Sequence, residues 1–270
     1  MVAIHLFAND ASGLALLEGL PPQDDACAVI VPANRLGTEK VERLTDETRV
    51  LGLPLLVHPR GGPLPANLPP AGAAISWLYS QLLAAPDLRR YADGLLNMHG
   101  GRIPEYRGES VLLWAIANGE RELGITWHEI VEEVDAGAIW DETTIPIPGN
   151  ASAADMRQAM IAVGVARFPL AWQRFRERRE RPRYPDREKG RIWPRFKNAD
   201  RHIEPAWPAE QVRNLVRACG APWPPATIEV EGRRYAVAAV LDASASETLP
   251  YPTADGTTLH LLARQLEVQV

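Results

Sequence analysis

Over the first third of the chain, apolar residues fall into short unbroken runs. Between the runs they recur at every third or fourth position. VAIHLFA (2–8), ACAVIVPA (26–33), LPLLVHP (53–59), AAISWLYS (73–80) and GLLNMH (94–99) are such runs. Their length and lack of alternation predict strands buried on both faces. SGLALLEGL (12–20), GTEKVERLTDETRVLG (37–52) and APDLRRYAD (85–93) carry helical spacing. Strands alternating with helices predict a parallel sheet covered on both sides, in which chemistry collects at the carboxyl ends of the strands.

Further along, GESVLLWAIANGE (108–120) predicts a helix with Ser110 as its N-cap and Gly119 just past its end. GITWHEIVEEV (124–134) alternates like a strand, DAG turns it, and AIWDETTIPI (138–147) returns, which predicts a hairpin or bent pair. Residues 152–180 predict one long helix, kinked at Pro169. Residues 181–206 are rich in Arg and Pro and lack periodicity, as a linker or wrapping segment would. PAEQVRNLVRACG (208–220) predicts a short helix, and ATIEVEGRRYAVAAVLD (226–242) and TTLHLLARQLEVQV (257–270) predict strands joined by polar turns. The expected organisation is an α/β catalytic domain over residues 1–180, a linker over 181–206 and a small α+β appendage over 207–270. The appendage would be antiparallel, with an edge open to pairing in a homodimer.

With 270 residues, 46% hydrophobic and 23% charged, the chain can bury a sizeable core. A net charge of −5 and a pI near 5.7 give no bulk attraction to nucleic acid. The Arg-rich run at 174–183 is the one candidate basic patch, and a solvated helix end explains it about as well. Cys27 and Cys219 have no CxxC spacing, so neither a disulfide framework nor a zinc cluster is expected. The N-terminus lacks a basic leader, and no run approaches the roughly 18 apolar residues of a membrane span. A cytoplasmic protein is expected.

The stretch LLNMHGGRIPEYRG (95–108) carries the candidate chemistry. Side chains two apart on a strand share a face, so Asn97 and His99 converge. An imidazole takes or shuttles a proton near neutral pH, and an amide donates a hydrogen bond to a developing oxyanion. Asp135, in the turn after another predicted strand, offers a carboxylate to orient His99 and stabilise its protonated form. The set suits attack of an amine on an acyl carbon.

NMHGGRIPEYRG, WAIANGERELGITWH and VDAGAIWDETTIPI, in this order and spacing, resemble the folate-dependent formyltransferase family. The resemblance covers roughly residues 3–235 and, more loosely, the tail. It implies a Rossmann-like formyltransferase domain followed by a shortened OB-like or hairpin appendage. It implies 10-formyltetrahydrofolate as the formyl donor and no metal. It matches Asn97 to the family's oxyanion-stabilising Asn, His99 to its catalytic His and Asp135 to its essential Asp. It places the pterin against backbone at Gln81, Leu82 and Leu83, and along Val131, Glu132, Glu133 and Val134 up to Asp135. In the implied mechanism an amine attacks the formyl carbon, Asn97 and His99 stabilise the oxyanion, and His99, assisted by Asp135, relays a proton towards the folate leaving group.

Within the family, the Gly-rich phosphate loop of the purine-pathway enzyme is missing after the first strand, and no regulatory domain is expected ahead of it. Amino-sugar formylation, on a nucleotide-linked sugar, is the favoured expectation. His128 resembles the sugar enzymes at a position where tRNA enzymes often have Met, and it is a tentative acceptor contact with Arg102. Methionyl-tRNA formylation, formylation of an amino-acid-derived amine in natural-product assembly, and folate binding without catalysis are the alternatives.

Overall fold

The computed structural model describes residues 2–186, 188–241, 243–245 and 248–266. Contacts divide the chain into two units: Met1–Arg107, Gly124–Thr143 and Ile161–Gly190 in one, and Gly108–Leu123, Thr144–Met160 and Arg191–Val270 in the other.

The first unit is built on a seven-stranded sheet. Strands β1 (Val2–Ala8), β2 (Asp24–Pro32), β3 (Leu55–His58), β4 (Ala73–Trp77) and β5 (Gly94–His99) coincide with the five apolar runs. With β6 (Tyr106–Gly108) apart, the sheet is completed by β7 (Glu122–Glu129) and β8 (Ile139–Pro146) in the order β3-β2-β1-β4-β5-β7-β8. The five apolar strands pair in parallel, and β7 runs antiparallel to β5. Chain direction across the sheet reverses between β1 and β4, so their carboxyl ends form a topological switch point, where open α/β sheets bind ligands. There Asn9 accepts from the Ser80 N–H at 3.3 Å and donates to the Leu78 carbonyl, tying the two strand ends together.

Helix α1 (Glu39–Val50) follows its expected span, with Val41 and Leu44 buried. Two predicted helices came out differently. Ala11–Gly19 is a 3-10 helix in which Gly13 packs against Ala8 and Trp77, and α2 (Ala85–Leu88) is a single turn. One wall of the core is a ladder of fully buried rings. Trp77 stacks on Trp127 at 5.9 Å, Trp127 meets Phe168 at 5.3 Å, and Phe168 leads to Trp172 and Phe175. Truncating one such ring typically costs about 3–5 kcal/mol, well above the roughly 0–1 kcal/mol of a surface ion pair.

His5 lies inside this unit, 2% exposed, with Nδ1 2.8 Å from the Tyr91 hydroxyl. Burial pushes its pKa down to about 4; a hydrogen bond with the Pro69 backbone opposes the fall and Arg90 adds to it. The folded value therefore lies below the unfolded value of about 6.5. The unfolded chain takes up this proton first, so stability is full above the unfolded value and is lost as pH falls towards 4. Calorimetric melting between pH 7 and 4.5 should show a falling Tm, and His5→Gln should make that fall shallower. Parallel curves would refute the assignment.

In the second unit, α3 (Val111–Ala117) packs on α5 (Ala209–Ala218). Of α4 (Ala153–Glu177), the residues up to Met160 belong to this unit and those from Ile161, Pro169 included, to the first; β9 (Arg191–Trp193) belongs to this one. Ser110 precedes α3 but does not cap it: its φ of +54° is left-handed and its side chain makes no capping bond. Gly119, at φ +76°, closes the helix as expected. Trp114 packs against Trp193 and Phe196 and donates to the Pro194 carbonyl at 2.7 Å. The Arg191 guanidinium lies 3.7 Å over the Trp193 ring.

The tail forms a four-stranded antiparallel sheet of β10 (Ala226–Val230), β11 (Arg233–Leu241), β12 (Thr248–Pro252) and β13 (Thr258–Gln265), in the order β10-β11-β13-β12. What reads as one strand over 226–242 is a hairpin. Glu231 and Gly232 both have positive φ, the geometry of a tight two-residue turn. No helix among the described residues is long and apolar enough to cross a membrane.

Candidate active site

The carboxyl end of β5 carries Asn97 and His99, and β7 runs beside it with Asn97 opposite His128 and His99 opposite Thr126. Directly opposed residues of antiparallel strands present side chains to one face. The sheet thus brings an amide, two imidazoles and a hydroxyl together. Thr126 Oγ1 donates to the Gly101 carbonyl at 2.8 Å and holds the turn after β5 against β7.

Asp135 reaches the same place from the loop after β7. Glu129 N–H bonds the Ala138 carbonyl at 2.8 Å and ties off the loop. Gly137 permits this closure, because a Cβ there would collide with the Glu129 carbonyl. Asp135 itself has φ +48°, a left-handed conformation that Asp tolerates better than most residues. Arg107, 4% exposed, clamps the loop from the other side. Its Nε donates to the Val134 carbonyl at 2.9 Å and its Nη2 to Glu133 Oε1 at 2.6 Å.

The Asp135 carboxylate then faces both rings, with Oδ2 3.5 Å from His99 Nδ1 and Oδ1 3.4 Å from His128 Nε2. The rings stand edge to face, 6.1 Å apart. His99 Nε2 lies 2.5 Å from the Tyr106 carbonyl. A carbonyl only accepts, so Nε2 carries the proton and the lone pair of the neutral ring is on Nδ1, beside Asp135. Burial pushes the His99 pKa below its ordinary value; Asp135 pulls it back up, and His128 and Arg107 push it down. Burial is the largest of these effects, so the resting ring is neutral and able to accept a proton.

The sequence expectations are distributed as follows. Asn97, His99 and Asp135 converge with His128, which is 1% exposed. Arg102 is exposed in the turn after β5, where its carbonyl accepts from the Tyr106 N–H at 2.7 Å. Gln81, Leu82 and Leu83 follow β4 at the switch point. Gln81 Nε2 donates to the His58 carbonyl at 3.0 Å, Leu83 packs on the core, and Leu82 is 80% exposed. Along the Asp135 loop, Glu132 and Glu133 are exposed, Val131 and Val134 half-buried, and the Val134 carbonyl is taken by Arg107. The N–H groups of Leu82, Leu83, Val131 and Glu132 donate to no other described residue. Among the described residues, no group of three or more His, Cys, Asp or Glu is arranged to hold a metal ion.

Two features escaped the sequence. Arg107 stands in the quoted turn with no role read for it, and its clamp is visible only once the Asp135 loop is placed. Gly101 suggests close approach of backbone to a ligand. In the fold it makes room for the chain itself, since a Cβ would press on the Tyr106 carbonyl and the His99 ring.

Comparison with known proteins adds the following. A family model described as formyl transferase matches residues 70–171, which contain Asn97, His99 and Asp135, and one described as formyl transferase, C-terminal domain, matches residues 195–270. Among solved structures, the chain is similar to an N-formyltransferase from Helicobacter canadensis in complex with folinic acid and dTDP-3-aminofucose. The TM-score is 0.76 at 18% identity, over 98% of this chain and 100% of that one. It is similar to a variant of HypX from Aquifex aeolicus, with a TM-score of 0.66 at 19% identity, and there it spans 45% of the longer chain with 98% of its own. It is also similar to methionyl-tRNA formyltransferase from Clostridium thermocellum, with a TM-score of 0.62 at 15% identity, over 99% of this chain and 100% of that one. At these identities the likeness is one of fold.

Proposed function

The chain belongs to the formyl transferase family, and from that premise we propose that it moves a formyl group from 10-formyltetrahydrofolate to the primary amine of a nucleotide-linked amino sugar. The observation that carries this reading is the convergence of Asn97, His99 and Asp135 at one strand end, with His99 buried beside a carboxylate.

When bound, the folate supplies an activated formyl group. The chain's own residues supply the rest. Asn97 presents an amide N–H to negative charge developing on the carbonyl oxygen. His99 accepts a proton from the amine at Nδ1, 3.5 Å from the Asp135 oxygen that stabilises the resulting imidazolium, and gives it up to the folate nitrogen as that nitrogen's bond to the formyl carbon breaks. Tyr106 and Arg107 fix the ring and the loop, so little reorganisation is needed during the reaction. The switch-point segment supports this donor: backbone amides at Leu82 and Leu83 that donate to no described residue, the exposed Leu82 side chain and the Val131–Glu132 amides suit a flat heterocycle bearing amide groups.

For the acceptor, the full-length likeness to an enzyme crystallised with dTDP-3-aminofucose supports an amino-sugar nucleotide. The Arg-rich helix end supports a small acceptor over tRNA. Within residues 174–183, Arg174 binds Asp141, Arg176 reaches Asp24 and Asp93, Arg178 pairs with Glu129, Arg179 with Glu177 and Arg183 with Glu142, so most of the cations of this run already face carboxylates. Purified protein should release tetrahydrofolate from 10-formyltetrahydrofolate when given dTDP-3-aminofucose or a related amino-sugar nucleotide. Release with methionyl-initiator tRNA alone would overturn the sugar assignment. Donor binding without release for any amine would overturn catalysis.

A further inference from the structure

Resting on that reading, we propose that His128 is a positioning residue that fixes which end of the Asn97 amide meets the reacting carbonyl. Its Nδ1 lies 2.8 Å from the Glu129 carbonyl. That oxygen only accepts, so Nδ1 donates to it and Nε2 is the ring nitrogen left to accept. Asn97 Nδ2 lies 3.0 Å from Nε2 and donates to it.

An amide nitrogen has two hydrogens in one plane. With one held by His128, the plane of the Asn97 amide is set and its second N–H is left for the substrate oxygen. Without His128, the amide is free to turn end for end and present its own oxygen, which repels a carbonyl that is gaining negative charge. His128 therefore selects the donor end of Asn97. It does so from a buried position, 1% exposed, so it holds Asn97 and does not touch the acceptor. On its other side Nε2 is 3.4 Å from Asp135 Oδ1, while Asp135 Oδ2 faces His99 Nδ1 at 3.5 Å. One carboxylate thus spaces the group that orients the oxyanion donor from the group that moves the proton.

Two measurements test this. In 15N-labelled wild-type protein, the couplings of the His128 ring should show the Nδ1–H tautomer at pH 7.5; an Nε2–H tautomer would overturn the proposal. With 10-formyltetrahydrofolate and dTDP-3-aminofucose, His128→Leu should lower kcat by about 10–100-fold, less than the ~10²–10³ expected for losing an oxyanion donor outright. KM for both substrates should stay within about threefold, because Asn97 acts on the reacting carbonyl. His128→Gln, whose side-chain oxygen also accepts from Asn97, should recover kcat to within about fivefold of wild type, a rescue that a packing role would not give. Unchanged kcat in His128→Leu, a loss confined to KM, or no rescue by Gln would each overturn the proposal. If the wild type transfers no formyl group to any amine, the functional reading fails, and the tautomer still decides the role of His128. The tautomer decides it also if His128→Leu does not fold.

Discussion

His99→Gln should lower kcat for amine formylation by about 10²–10⁴-fold, the usual contribution of a positioned general base, while the protein stays folded and binds donor. The substitution separates the two jobs of the ring. Glutamine keeps an N–H that can reach the Tyr106 carbonyl, which His99 Nε2 contacts at 2.5 Å, so the turn after β5 keeps its tie. It removes the basic ring nitrogen that stands beside Asp135. Tetrahydrofolate release gives kcat, calorimetry checks the fold, and fluorescence titration with folinic acid checks the donor site. A kcat within tenfold of wild type would remove His99 from the chemistry. A loss of donor binding equal to the loss of rate would make its role one of shaping the site.

Asp135→Asn should lower kcat by about 10²–10³-fold, since a buried imidazolium loses the charge that stabilises it. Asparagine is nearly isosteric and tolerates the left-handed backbone that Asp135 adopts at φ +48°, so the loop should keep its path. The variant also carries a signed pH effect. Burial lowers the His99 pKa and the Asp135 charge raises it. Removing that charge leaves burial less opposed, so the His99 pKa falls further. The acid limb of the kcat/KM profile should therefore move to lower pH in the variant, while the plateau drops because a weaker base removes the proton. An acid limb that moved to higher pH would contradict the electrostatic assignment.

The parallel half of the sheet is legible in the sequence because its strands are buried on both faces and leave unbroken apolar runs. Strand β12 is not, because TLPYP carries two prolines and becomes a strand only through its register with β13. Ser110 shows the limit of residue preference: the right residue type stands at the helix start, but its backbone is left-handed and its side chain makes no capping bond. At the site, period two on a strand suffices to pair Asn97 with His99 and Thr126 with His128. Nothing local brings Asp135 to them. That convergence comes from the resemblance, and its physical cause is the β7–β8 closure at Gly137 and the Arg107 clamp. The Tyr106 and Glu129 carbonyls, which set the tautomers of both histidines, are backbone atoms and have no signature in sequence.

The central claim is that this strand end formylates an amine and that His99 moves the proton. Its most direct test is amine-dependent tetrahydrofolate release from 10-formyltetrahydrofolate, compared between wild type and His99→Gln over a panel of amino-sugar nucleotides. The expected result is release that rises with acceptor in the wild type and is lost in a folded, donor-binding variant. Amine-dependent release that survives His99→Gln at the wild-type rate would contradict the account.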